Sequence, residues 1–222
     1  MKNEAYKSAY EQIRKASQGN QLVVFIGAGM SNNFGFPTWN GLVRSMYKEL
    51  TGRKVSERRK FSSEETLRIP QALREKDRKA YERILKDNFG PHRVLSPDNV
   101  ILDEIMKLRP KHIITTNFDV LIERYLQDKD EALSEEHSAK EGYGKLVHNH
   151  IPYRYMTVVN DGDMITADAN HLLLKIHGDV QNMDSLVLCE DDYLEYSDSH
   201  ILMENFIKTK GDTHALILTE AL

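Results

Sequence analysis

Three short apolar runs constrain this chain most, because each ends abruptly in a small polar motif. Residues 21–26 (QLVVFI) run into GAGMS at 27–31, residues 112–116 (HIITT) into Asn117-Phe118-Asp119, and residues 172–176 (LLLKI) into His177-Gly178-Asp179. Runs this short and this rich in branched residues suit strands buried on both faces. Helical patterns separate them, which predicts an α/β fold: a Rossmann-like, mainly parallel sheet flanked by helices. In open sheets of this kind ligands bind beyond the carboxyl ends of the strands. Three motifs far apart in sequence are therefore expected to meet in one cleft.

The remaining pattern fills in around these strands. Residues 3–18 read as an amphipathic helix, with Ala5, Tyr6, Ala9, Tyr10, Ile13 and Ala16 on one face and Gly19-Asn20 as its stop. A helix over about 39–51 starts after Thr38, a plausible N-cap. Residues 52–110 carry no convincing strand and read as a helical insertion. Leu67, Leu73, Tyr81, Ile84 and Leu85 are its apolar points, and Ser96 is positioned to cap its last helix. A helix follows Asp119. Residues 127–144 are polar and acidic, which predicts a surface loop. Weaker strands are expected at 145–148, 155–159 and 185–189, helices at 190–196 and 200–209, and a last strand at 214–219.

Each motif has a chemical and a plain structural explanation. Gly27 and Gly29 at a strand-to-helix turn let backbone N–H groups approach a phosphate, with Ser31 adding a hydroxyl. They equally suit a tight turn without a ligand. The third glycine of the dinucleotide fingerprint is absent, since position 32 is Asn. Asn117 offers a donor and an acceptor. Asp119 either serves the site or caps the next helix. His177 alone among the nine histidines sits at a strand end before a glycine. A neutral imidazole there can take a proton from a sugar hydroxyl near pH 7, or can be a hydrogen-bonded structural group.

Composition excludes several classes. A net charge of −4 argues against a protein that coats nucleic acid. The single cysteine, Cys189, allows no internal disulfide and no cysteine-rich zinc module. No apolar run approaches the roughly 20 residues needed to span a bilayer. The charged N-terminus lacks a signal peptide's apolar centre, so a cytoplasmic protein is expected. His148-x-His150 and the basic run at 53–60 read as solvated surface, the Tyr193/Tyr196 pair as packing, and Cys189 as buried and inert.

Taken together, GAGMSNNFGFPTW, TTNFD and KIHGD resemble, in order and spacing, the sirtuin-like domains, most of all the NAD-hydrolysing domains of bacterial antiphage defence (Thoeris effector-like). The resemblance runs from about residue 20 to residue 209 and includes LVLCEDDYLEY. It implies a single sirtuin-like NAD-binding domain over residues 1–222. Family members continue past the strand at 214–219 into a glycine/serine motif, so the C-terminal part of the family domain is expected to be missing. Deacylating sirtuins carry an arginine after the Gly-Ile-Pro of the first motif and a four-cysteine zinc module. Here Thr38-Trp39-Asn40 follows Gly35-Phe36-Pro37, and neither feature is present.

NAD hydrolysis is thus the implied activity, with NAD as substrate and no metal. By resemblance, Gly27, Ala28, Gly29 and Ser31 hold the phosphates. Asn117 orients the ribose or the attacking water, and His177 accepts a ribose hydroxyl proton. Pro37, Trp39, Thr116, Phe118 and Asp119 complete the NAD pocket. A homo-oligomer or a defence partner protein is expected, without membrane or nucleic acid. The competing expectations are a subunit that senses NAD or ADP-ribose without hydrolysing it, a silent assembly subunit, and a deacylase.

Overall fold

The computed structural model describes residues 2–91, 99–140, 154–167, 171–213 and 215–219. Helix α1 (Lys2–Gln18) leads into β1 (Leu22–Ile26), α2 (Ala28–Asn32) and α3 (Trp39–Thr51). Three more helices follow, α4 (Ser63–Lys76), α5 (Arg78–Phe89) and α6 (Val100–Lys107), then β2 (His112–Thr115) and the long α7 (Leu121–Lys140). Next come β3 (Met156–Val158), α8 (Asp161–Thr166) and β4 (Leu172–Lys175). The last elements are α9 (Glu190–Leu194), α10 (Tyr196–Ser199), α11 (Ile201–Thr213) and β5 (Ala215–Thr219).

The five strands form one parallel sheet in the order β3-β4-β2-β1-β5. Register levels the functional ends: Ile26 lies opposite Thr115, and Thr115 opposite Lys175. The polar motifs following β1, β2 and β4 therefore leave the sheet at the same edge. Strand alternation divides the core between two faces. Leu22, Val24, Ile26, Ile113 and Leu173 pack towards the helices that include α3 to α7. Val23, Ile114, Leu172 and Leu174 pack with Met203, Phe206 and Ile207 of α11. Each such fully buried aliphatic side chain contributes about 1.5–3 kcal/mol. Burial on both faces explains why these strands read as continuous apolar runs.

Among the described residues, 52–110 holds only helices, α4 to α6. Ser62 starts α4 with a capping box: its hydroxyl accepts from Glu65 N at 3.1 Å, and the Glu65 carboxylate accepts from Ser62 N at 2.9 Å. Ser62→Ala should cost about 1 kcal/mol. A denaturant titration with an unmoved midpoint would show the cap to be idle.

The structure corrects three expectations and adds a detail to a fourth. Residues 127–140 continue α7 and are not a loop; Gln127–Glu131 pairing within the helix shows how charged residues support it. Residues 185–189 are not a strand: Met183–Ser185 is a 3₁₀ turn, and 186–189 runs on outside the sheet. Asn99, not Ser96, caps α6, accepting from Leu102 N at 2.9 Å; Ser96 lies outside the described residues. Finally, α1 packs on β1 and β5 only through its last turns. Ala16 is buried and Ile13 half-buried, while Tyr6 and Tyr10 are 75% and 65% exposed. The weak strand at 145–148 and His148-x-His150 also lie outside the described residues.

Candidate active site

The three strand ends are stitched together sideways. The Thr115 hydroxyl donates to Ile26 O at 2.8 Å and accepts from Asn117 N at 3.0 Å. The Asn117 amide nitrogen donates to Gly27 O at 3.1 Å and to Ser31 Oγ at 2.9 Å. Because Gly27 offers a carbonyl, the NH₂ must face it, so the orientation of the amide is fixed. That leaves Asn117 Oδ1, a buried acceptor without a hydrogen-bond partner. An unmet buried acceptor is costly unless a water or ligand supplies a donor.

The stitching continues to β4. Lys175 Nζ, fully buried, donates to Asp119 O at 2.6 Å, Glu123 Oε1 at 2.5 Å and Asp179 Oδ2 at 2.5 Å. Val180 N donates to Phe118 O at 2.8 Å. Burial opposes a charged lysine, but the two carboxylates prevail and hold its pKa above the ordinary value. The turn at 178 is locked as well. Gly178 has φ +79°, and a Cβ there would lie 2.1 Å from Ser185 O. Asp179 N donates to Ser185 Oγ at 3.0 Å, and Val187 N to His177 O at 3.1 Å. So the 3₁₀ turn sets where His177 sits.

These ties surround a cavity of about 310 Å³. Of the residues expected there, Ala28, Ser31, Pro37, Trp39, Thr116, Asn117, Phe118, Asp119 and His177 line it. Gly27 and Gly29 are not in its lining; Gly27 is the N-cap of α2 and Gly29 the second residue of that helix. Ser31 is 4% exposed, and its hydroxyl is shared between Asn117 and the Asp119 carboxylate. Asp119 also accepts from Leu121 N at 3.0 Å at the start of α7, so its structural explanation holds while it lines the cavity. Burial raises its pKa, against the pull of Ser31, Leu121 N and Lys175. Burial pushes the His177 imidazole down to about 4, with His200 adding a smaller repulsion. At neutral pH His177 is uncharged, as a proton acceptor must be.

Two lining residues escaped the sequence pattern, Phe89 and Tyr193. The Phe89 ring meets Phe118 edge-on at 4.7 Å, and Trp39 meets Phe118 at 6.4 Å, making an aromatic wall. Tyr193 meets His177 edge-on at 5.5 Å. No signal marked Phe89, a helix-terminal aromatic; Tyr193 was visible only as half of a helical pair.

Comparison with known proteins points to the same family as the three motifs. A model described as SIR2-like domain matches residues 111–219. Over those residues the chain is SIR2-like. Defense-associated sirtuin 2 of Bacillus subtilis is 34% identical over 212 residues, spanning 93% of this chain and 18% of that protein. NAD(+) hydrolase ThsA of Enterococcus faecium is 25% identical over 208 residues, spanning 91% of this chain and 37% of that protein. ThsA of Bacillus cereus (strain MSX-D12) is 26% identical over 205 residues, with 91% and 37% spanned. The SIR2-like chain thus spans well under half the length of these relatives. Among its described residues no helix is long and apolar enough to cross a membrane. Nor do any three His, Cys, Asp or Glu side chains there cluster as metal ligands.

Proposed function

We propose that this SIR2-like domain hydrolyses NAD+ at the nicotinamide–ribose bond. The observation that carries the reading is the meeting of Asn117 and His177 in one cavity with Ala28 and Ser31, from three separate strand ends. Its volume lies at the lower end of small-molecule sites and suits the nicotinamide riboside half. The diphosphate then runs toward Gly27 and the first turn of α2.

Breaking the bond transfers its electron pair to the ring nitrogen. Nicotinamide leaves neutral, and positive charge gathers on the ribose, as in glycoside hydrolysis. Asn117 Oδ1 accepts from the attacking water or a ribose hydroxyl. Uncharged His177 takes a proton from a ribose hydroxyl, which eases the build-up of charge. Trp39, Phe118 and Phe89 wall off bulk water. Water adds to C1′ and loses a proton to solvent, His177 returns its proton to the ribose hydroxyl, and the products are ADP-ribose and nicotinamide. The leaving group is already a cationic pyridinium, so the reaction needs no metal. The names of the relatives support a bacterial defence role in which the enzyme depletes NAD; that it acts as an oligomer or beside a defence partner is part of the same proposal.

Purified protein should release nicotinamide from NAD+. Binding without release would replace hydrolysis by sensing; neither binding nor release, alone and after enforced oligomerisation, would overturn the reading. The pH profile is a second expected result. The acid limb of kcat/KM, which reports the free enzyme, should fall near pH 4 and not in the ordinary histidine range. A limb at 6–7 would remove His177 as the base. Stability carries the same sign: the unfolded chain binds the His177 proton more readily. Its contribution is therefore whole above about pH 6.5 and shrinks as pH falls towards 4.

A further inference from the structure

We propose that Tyr193 is a positioning residue for His177: its ring shields the imidazole from bulk water, and a row of polar pairs between α4 and α9 seats it there. Tyr193 sits at the rim of the cavity, 39% exposed, with its ring edge-on to His177 at 79°. Its helix is a single short turn and a half, too short to hold a rigid angle alone.

What holds α9 is α4. Arg68, Gln71 and Arg74, three residues apart and so on one face of the helix, meet three consecutive acidic residues. Arg68 Nε pairs with Glu190 at 3.1 Å, Gln71 Nε2 donates to Asp191 at 2.7 Å, and Arg74 Nη1 pairs with Asp192 at 2.6 Å. The Asp192 carboxylate is 15% exposed, and its other oxygen accepts from Leu188 N and Cys189 N, so the ladder also fixes the chain entering α9. On α5, Arg78 extends the row to Asp184 at 2.6 Å, beside the 3₁₀ turn that locks Gly178. The helical insertion therefore contributes to the site through Tyr193. Each exposed pair is weak alone, which suits a strap that sets an angle without dominating stability.

The titratable groups near His177 are Tyr193 from α9, His200 from the α10–α11 junction, and Asp119 across the cavity. The variants below leave His200 and Asp119 in place. This inference rests on His177 being the base, so the test reads the imidazole directly, without turnover. The probe is the His177 Cε1 proton by NMR, assigned with His177→Gln, in the full chain without NAD. Tyr193→Ala should raise the titration midpoint by about one to two units, as water reaches the ring. Tyr193→Phe should leave it in place, and Arg74→Met should raise it by less than Tyr193→Ala does. An unmoved midpoint in Tyr193→Ala overturns the proposal. So does a Tyr193→Phe midpoint that moves as far, since the hydroxyl would then be the agent. In NAD turnover, Tyr193→Ala should lose about tenfold in kcat at pH 7 as the base loses its fixed angle, with the Phe variant near wild type. Wild type that shows the expected titrations but never releases nicotinamide would sink the hydrolase reading and leave the shielding intact.

Discussion

Replacing His177 by alanine should lower NAD turnover by about 10²–10⁴-fold, the loss expected on removing a general base. Among the described residues the His177 side chain caps no helix and forms no ion pair. Its backbone carbonyl, which holds Val187 N, survives the substitution. The unfolding midpoint should therefore move little. Asn117→Ala should lose a comparable share of turnover but also some stability. It removes the bonds to Gly27 O and Ser31 Oγ that tie β2's end to β1's, at about 1 kcal/mol each. Nicotinamide release and thermal unfolding, measured on both variants, separate the two roles. A His177→Ala protein with wild-type turnover would end the proposed mechanism.

Lys175→Met should be the most destabilising of these substitutions, by about 3–5 kcal/mol, because breaking a buried ion pair strands its partners. Glu123 and Asp179 would face each other without a cation, and the Asp119 carbonyl would lose its donor. Adding Glu123→Gln should recover part of the loss by removing one stranded charge. Denaturant titration gives both values. A single-variant loss below about 1 kcal/mol would mean that Lys175 behaves as a surface lysine and does not bind the two turns together.

The parallel strands were legible because burial on both faces leaves a continuous apolar run that alternation cannot mimic. Thr38 was legible as a cap because a threonine before a helical pattern has a local purpose, and its hydroxyl accepts from Gly41 N at 3.2 Å. The convergence of Asn117 and His177 followed from sheet topology alone. Other features depended on tertiary contacts that no local pattern encodes. Residues 127–140 look like a loop because helices carrying few apolar residues give no periodic stripe. The extended segment at 186–189 has a strand's composition, Leu-Val-Leu-Cys, yet it packs into the core beside the helical insertion and pairs with no strand. The partners of Lys175 could not be read at all: Glu123 lies 52 residues away and looks like any helix-surface glutamate. The α1 stripe was read correctly as a helical face, but its pattern could not tell that most of its apolar side chains stay in solvent.

The lateral stitching of the strand ends also bears on when, during synthesis, the cleft can form. The bonds from Thr115 and Asn117 to the β1 end bridge 89 and 90 positions, and those from Lys175 to the 119–123 segment bridge 56 and 52. Such distant pairings form late and slowly. A nascent chain whose β4 is still inside the ribosome has neither the lysine that joins the turns nor the histidine. No partial product of synthesis or proteolysis that lacks β4 can assemble the cleft. On the proposed function, the domain is inactive until β4 has emerged and folded, and a single cut between β2 and β4 that lets the pieces part disarms it.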